Sequence, residues 1–506
     1  MDRQLHRFHG GLQLQTYKEL SDGDPSVLQQ IPQRLILPMQ QHIGIPAVPV
    51  VKVGDHVLKG QVIARESGYV SLPVHASTSG QVIDIGDYPV PHPSELKAPC
   101  IVIEADGEDR WFDIRPTHEY SSVDPRRLQE VIRECGITGL GGAGFPAHVK
   151  LREGADNEVD TLIINGVECE PYITCDDRLI QEKAGYIVAG TRMIRHAVQA
   201  KHCVIAVEED MPQAYKALEP LVGDDIELVT VPTRYPAGGE KQLIQVITGK
   251  EVPSGGLSIH IGIIVHNVAT AAAVYRAVTR GEPVVSRYVT ITGIVDRPRN
   301  LQVLLGTSVK DCVTFCGFDD YEKCRIILGG PMMGMHVRNP DIPIIKTTNC
   351  IIIQDPPPDT PALPCIRCGR CADVCPIRLQ PQELYRYARA DEFESAHEHH
   401  LFDCIECGLC SYVCPSSIPL VQYYRYAKTK IAEEERRQRG AEFSRARFLA
   451  KNARVDRDLN SAGHTASPQA SAATSLEERR QYIDAAVKRT REKKKNTDPG
   501  DRGPES

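Results

Sequence analysis

The sequence predicts a multidomain protein of combined α/β and α+β class, and three observations carry that reading. Its 506 residues, 41% of them hydrophobic, suffice for several separate cores at roughly 100 to 200 residues per domain. The apolar rhythm changes along the chain, from short alternating stretches bounded by glycine to buried runs of strand length spaced by stretches of helix length. Eight of the 17 cysteines then fall into two copies of one spacing, which calls for a small domain organised around something other than an apolar core.

Residues 1–115 are rich in Val, Ile, Gly and Pro and read as a compact β domain of short strands and glycine turns. Its phrase Val53-Gly-Asp-x-Val-x-x-Gly-Gln-x-Ile63, followed by Gly80-Gln-Val82, resembles the lipoyl/biotinyl barrel-sandwich hybrid. No lysine stands in the hairpin where that family carries its prosthetic group, so the domain is expected to be structural or a docking module. From 120 to 285 strands alternate with helices. Thr161–Asn165, His202–Val207 and Ile226–Val231 are buried-strand runs, and Asp177–Gln199 and Met211–Val222 read as helices, the order of a largely parallel, Rossmann-like sheet. Between 286 and 350, Arg287–Gly293 and Cys324–Gly330 flank a helical stretch around Ser308–Cys316, as in a small β-grasp (SLBB-like) unit. The proline-rich stretch Pro356–Pro364 is a stiff linker into a helical, ferredoxin-like segment at 355–430, with Pro381–Phe402 mostly helical. The charged residues of 431–506 can bury little and are expected to be largely disordered.

The repeated pattern is Cys365-x-x-Cys368-x-x-Cys371-x-x-x-Cys375-Pro and Cys404-x-x-Cys407-x-x-Cys410-x-x-x-Cys414-Pro. This is the spacing by which bacterial ferredoxins hold two [4Fe-4S] clusters, three thiolates of each run on one cluster and the fourth on the other. It groups Cys365, Cys368 and Cys371 with Cys414, and Cys404, Cys407 and Cys410 with Cys375. A zinc ribbon uses paired C-x-x-C knuckles rather than triplets with a trailing Cys-Pro, and disulfide frameworks belong to small secreted domains. The other nine cysteines show no ligand spacing and read as small buried apolar residues.

A second signal is Gly139-Leu-Gly-Gly-Ala-Gly-Phe-Pro-Ala-His-Val-Lys150. Glycines this dense leave backbone amides open to a phosphate, with Lys150 as counter-charge. The spacing is neither a Walker loop nor a convincing dinucleotide fingerprint, because no acidic residue is evident at the later strand end.

Together with Asn165-Gly-Val-Glu-Cys-Glu-Pro171 and Tyr235-Pro-Ala-Gly-Gly-Glu240, that loop resembles the flavin and NADH site of the NADH-binding flavoprotein subunit of respiratory complex I. The whole order over about 1–430, from barrel-sandwich start to paired cluster motifs, is similar to the C-subunit family of Rnf/Rsx-type ion-translocating electron transport complexes. The resemblance implies non-covalent FMN held by Gly139, Gly141, Lys150, Asn165, Glu168, Tyr235, Gly238 and Asn267. It also implies NADH stacked near Phe145 and held by Glu170 and Glu240. Two positions depart from the flavoprotein pattern: Leu140 stands where it has Arg, and Val167 where it has Asp.

The resemblance further implies a translocase subunit without acid–base catalytic residues, docked to integral-membrane and cluster-bearing partners and indirectly to ferredoxin. Its place would be the cytoplasmic face of the inner membrane. The chain supplies no run of about 18 apolar residues for a span, and its first residues, MDRQLHRFHG, suggest no export signal. A net charge of −7 with a single Trp gives no basis for nucleic-acid binding. Two other readings use the same motifs: a non-catalytic iron–sulfur adaptor, consistent with Leu140 and Val167, and the flavoprotein subunit of a soluble NAD-dependent hydrogenase or formate dehydrogenase.

Overall fold

Short antiparallel strands build the first domain, as the alternation of its sequence predicts. The computed structural model describes residues 4–117, 119–358 and 360–463, with four further helical positions between 481 and 488. One small sheet runs in the order Arg34–Pro38, Lys97–Ala105, Gly80–Pro89 and His56–Val57, and another in the order Val48–Pro49, Val62–Arg65 and Val74–His75. Leu37, Val57, Ile63, Val82, Ile101 and Ile103 are fully or nearly fully buried between them.

Residues 4–30 take no part in these two sheets. They run as a strap across the other domains. His6 N donates to Val246 O, Gly11 N to Val374 O, and Leu12 pairs with Tyr235 in both directions at 2.9 Å. Val27–Leu28 then joins the β-grasp sheet in parallel beside Leu301 and Gln302. The strap is held by backbone hydrogen bonds and by single polar side chains such as Lys18, which bridges to Glu208 and Asp210, so it shows no apolar period.

The second domain has a four-stranded parallel sheet in the order Glu227–Val231, His202–Glu208, Thr161–Gly166 and Ile263–Asn267. Its strands are nearly continuous apolar runs because helices cover the sheet. The helix Cys175–Val198 packs on Val268–Arg280. At their crossing a Cβ on Gly190 would stand 1.8 Å from Ala271 O, so only glycine lets the backbones approach this closely.

The third domain is a six-stranded mixed sheet, order Val27–Leu28, Arg299–Leu304, Ser286–Gly293, Cys350–Gln354, Arg325–Leu328 and Met335–Val337. The helix Val309–Phe315 lies beside it, capped by Ser308 Oγ accepting from Asp311 N at 2.9 Å. In the cysteine segment, Arg370–Asp373 and Leu409–Tyr412 are single helical turns, and Pro381–Arg389 and Phe393–Glu398 supply the helical spacer. The fourth cysteine of each run follows its short helix.

The contacts divide the chain into Met1–Lys430 and Ile431–Ser506. Helix runs over Leu420–Gly463, so the stretch 431–463 is helical where disorder was expected. Local pairs explain how so polar a sequence does this: Arg437 with Glu434 and Arg439 with Glu435, at spacings of three and four residues, lie on one helix face. Most of the expected tail beyond 463 lies outside the described residues. Among the described residues no helix is long and apolar enough to cross a membrane.

Candidate functional site: a glycine cradle beside paired cysteine loops

Parallel strands end together, and residues just past their C-terminal ends converge. Here those ends carry Asn165 and Asn267. Asn267 Oδ1 accepts from Ala269 N at 2.8 Å and so caps Val268–Arg280, while its Nδ2 lies 3.5 Å from Asn165 O. Asn165 Nδ2 donates to Gly238 O at 2.9 Å, and Asn165 Oδ1 accepts from Val167 N. The glycine loop leans on the same spot, a Cβ on Gly141 falling 3.1 Å from that of Asn267. Lys150, in the helix Ala147–Asp156, donates to Glu240 at 2.7 Å and to Val265 O at 2.9 Å, and Ser258 donates to the other oxygen of Glu240. Gly139, Gly141, Lys150, Asn165, Gly238, Glu240 and Asn267 are therefore brought into one cradle.

The chemistry of this donor set fits a phosphate. Gly141 and Gly142 are exposed, and among the described residues nothing accepts from the amides of Gly141, Gly142 or Ala143. Open amides beside a helix N-terminus and an ammonium make an anion site. Leu140 does not face it. Its side chain is buried, its amide donates to Thr270 Oγ1 at 3.0 Å, and its carbonyl accepts from Arg287. A buried guanidinium from the β-grasp strand thus braces the back of the loop.

Four expected site residues turn elsewhere or stay apart. Glu168 is buried and accepts from Asp176 N at 2.8 Å and Asp177 N at 3.1 Å, satisfying the N-terminal amides of Cys175–Val198. Burial raises its pKa and that of Asp176, and the Asp176 charge pushes Glu168 up further. Glu170 accepts from Met332 N and Met333 N of a β-grasp loop at 3.2 and 2.9 Å, and burial pushes it up to about 7. Tyr235 sends its hydroxyl to Cys407 O at 2.7 Å. Phe145, half-buried, closes the loop through its carbonyl, which accepts from Gly139 N.

The residues that sequence reasoning missed are Asp176, Ser258, Thr270 and Arg287. Only Asp176 carried a signal, as one of two acids in the first turn of a helix.

The cysteine loops are unequal. Cys375, Cys404, Cys407 and Cys410 line one cavity with Leu409 and Tyr424, and burial raises each of these four thiols. The cavity therefore brings the fourth cysteine of the first run to the first three of the second. Conversely, Leu363 N donates to Ser416 O and Ser416 Oγ to Pro364 O, stitching the start of the first run to the end of the second. Four thiols converging on one cavity fit a cubane with four iron corners.

Comparisons with known proteins agree with this layout. The RnfC barrel sandwich hybrid domain matches residues 6–108, the Nuo51 FMN-binding domain 132–276, the SLBB domain 288–336 and the 4Fe-4S dicluster domain 361–446. A Pseudomonas aeruginosa protein, named as the C subunit of an ion-translocating oxidoreductase complex, is 46% identical over 90% of this chain and 59% of its own length. A Salmonella gallinarum protein of the same name is 43% identical over 96% of this chain and 72% of its own. The chain belongs to the C-subunit family of ion-translocating oxidoreductase complexes.

For this member of the C-subunit family the matched domains supply an FMN-binding fold and a two-cluster iron–sulfur fold, in the order the glycine loop and cysteine runs predict. The chain spans 59% of the Pseudomonas relative's length, so the relatives continue beyond what it covers. A crystal structure of an NAD+-reducing [NiFe]-hydrogenase in the H2-reduced state is more distant. It has a TM-score of 0.44 and 18% identity, over 62% of this chain and 63% of that one.

Proposed function

We propose that this chain is the NADH-interacting peripheral subunit of a membrane-bound, ion-translocating electron transport complex, passing electrons between NAD(H), FMN and two [4Fe-4S] clusters. The observation that carries the reading is the junction of the two regions: the segment from Tyr235 to Gly238 touches the cradle at one end and the buried cysteine loop at the other. When bound, FMN supplies the conversion between hydride and single-electron transfer, and the clusters supply one-electron carriage.

The chain's residues provide position and charge. Open amides at 141–143 and Lys150 hold a phosphate, Asn165 and Asn267 offer polar contacts to a flavin ring, and Glu240, bridged to Lys150, accepts from ribose hydroxyls. Phe145 gives a half-buried aromatic face beside the loop for a nicotinamide or adenine. Glu168 and Glu170 act behind the site, by ordering a helix start and a β-grasp loop. The partners are integral-membrane and cluster-bearing subunits of the same complex, with ferredoxin reached indirectly. The setting is the cytoplasmic face of the inner membrane, by attachment to those subunits.

Titrating the purified, reconstituted protein with NADH tests this. The flavin band at roughly 450 nm bleaches if the reading holds. Lys150→Ala should weaken flavin retention by about 1.5–3 kcal/mol, the worth of one charge-assisted bond. A wild-type protein with full clusters and no flavin reduction would instead support a non-catalytic adaptor, the reading that Val167 favours by removing a carboxylate acceptor.

A further inference from the structure

The apolar contact between the two redox regions is small and well defined. Tyr235, Val374, Cys407 and Leu409 form a buried cluster, with Leu12, Cys169 and Met332 packed on it. Tyr235 is 2% exposed. Its backbone is fixed by the strap at Leu12, and three residues on, Gly238 donates its amide to Cys169 Sγ at 3.2 Å and accepts from Asn165 of the cradle. Among the described residues the phenol has one hydrogen-bond acceptor, the carbonyl of Cys407 at 2.7 Å.

Burial works against a cluster that must gain negative charge, because the charged form loses solvation. Hydrogen bonds and other dipoles aimed at the cluster's ligands offset that cost and are one of the levers by which a protein sets cluster potential. An O–H directed at Cys407 O presents its positive end toward the buried cysteine loop. The exposed loop has Cys365 and Cys368 open to solvent, and water can do the same work there.

We infer that Tyr235 is a positioning residue that sets the reduction potential of the inner centre, the one held by Cys375, Cys404, Cys407 and Cys410, keeping it high enough to accept single electrons from the cradle side. The inference deepens the electron-transfer reading and rests on it. It moves Tyr235 from the flavin to the cluster. It also explains why a tyrosine, rather than a phenylalanine, fills an otherwise apolar contact.

The test is an EPR-monitored redox titration of the full-length reconstituted protein and its Tyr235→Phe variant, with the two centres assigned from a Cys365→Ala background. Tyr235→Phe should lower the inner centre's reduced-to-oxidised ratio at fixed potential three- to tenfold. At 59 mV per decade for one electron this is about 28–59 mV. The outer centre should not move. Replacing Tyr235 with 3-fluorotyrosine, a stronger donor of nearly the same size, should shift the inner centre the other way, and this arm holds even if the Phe variant fails to load iron. An unmoved inner midpoint in either loaded variant, or equal shifts of both centres, overturns the inference. Wild-type protein binding fewer than about eight irons per chain overturns the cluster reading beneath it.

Discussion

Cys407 and Cys410 are buried, whereas the residues at the same places in the other copy, Cys368 and Cys371, are exposed and half-buried. The spacing of the two runs is identical, so the difference comes from what surrounds them. The inner centre is clamped by four separate elements. The strap sends His9 Nδ1 to Cys375 O at 2.9 Å and Gly11 N to Val374 O. Tyr235 reaches Cys407, Met332 O packs on Gly408, and Lys428 donates to Cys404 O at 2.7 Å while bridging to Glu406. The outer loop has its stitch to Ser416 and an exposed face with Leu363 and Ile366. One motif therefore yields a sheltered centre beside the cradle and an open one that a redox partner can approach. The ligand pattern fixes the chemistry, and the neighbouring domains fix its access and potential.

The largest expected effect on that contrast comes from removing a ligand. Cys404→Ala should abolish the inner centre, leaving about four irons of eight, and also loosen the packing around Tyr235. Cys365→Ala should cost about four irons with little change in melting temperature, because its loop is exposed. Iron analysis with a thermal melt checks both, and equal destabilisation by the two variants would erase the distinction.

Next in size is the strap. Gly10 sits at φ +60°, and a Cβ there would come within 2.5 Å of Val374 O. Gly10→Ala should cost at least about 1–2 kcal/mol from the left-handed backbone alone. Inner-centre iron should be lost faster under chelation than in the wild type, with the outer centre unaffected.

A subtler effect concerns the docking of the three upstream domains. Lys346 is 1% exposed and donates to Gly136 O at 2.7 Å with Pro73 O at 3.5 Å, and burial pushes it down to about 7. Between about pH 7 and 10.5 the unfolded chain holds this proton more than the folded one does. Stability should therefore rise with pH across that window, by up to about 1.4 kcal/mol per unit, and level off below it. Lys346→Met should flatten the slope in denaturant titrations run at several pH values, and an unchanged slope would show that Lys346 is not its source.

The regions differ as well in how much the sequence revealed. Three of the four parallel strands were legible because both faces are buried and each reads as one apolar run, and their observed bounds lie within a residue or two of expectation, whereas Ile263–Asn267 was not expected as a strand. The eight cysteines were legible because their spacing is imposed by the cluster itself. Of the expected cradle, the glycines, Lys150, the two asparagines and Glu240 come together, since each marks a strand end or an open turn. Glu168, Glu170 and Tyr235 meet backbone groups instead, and a carboxylate that accepts backbone amides, or a phenol that donates to a carbonyl, looks in sequence like one that meets a ligand. The strap and the helix beyond 431 were hidden because one rests on backbone pairing and isolated polar side chains and the other on i,i+3 and i,i+4 charges, neither of which leaves an apolar period.

The central claim is that the two runs exchange their fourth cysteines and so create one sheltered and one open centre. Mössbauer and EPR spectra of Cys375→Ser and Cys414→Ser, each compared with Cys404→Ala and Cys365→Ala, test it most directly. Cys375→Ser should perturb the signal lost in Cys404→Ala, and Cys414→Ser the one lost in Cys365→Ala. The reverse pairing, with Cys375→Ser altering the centre of Cys365, would contradict it.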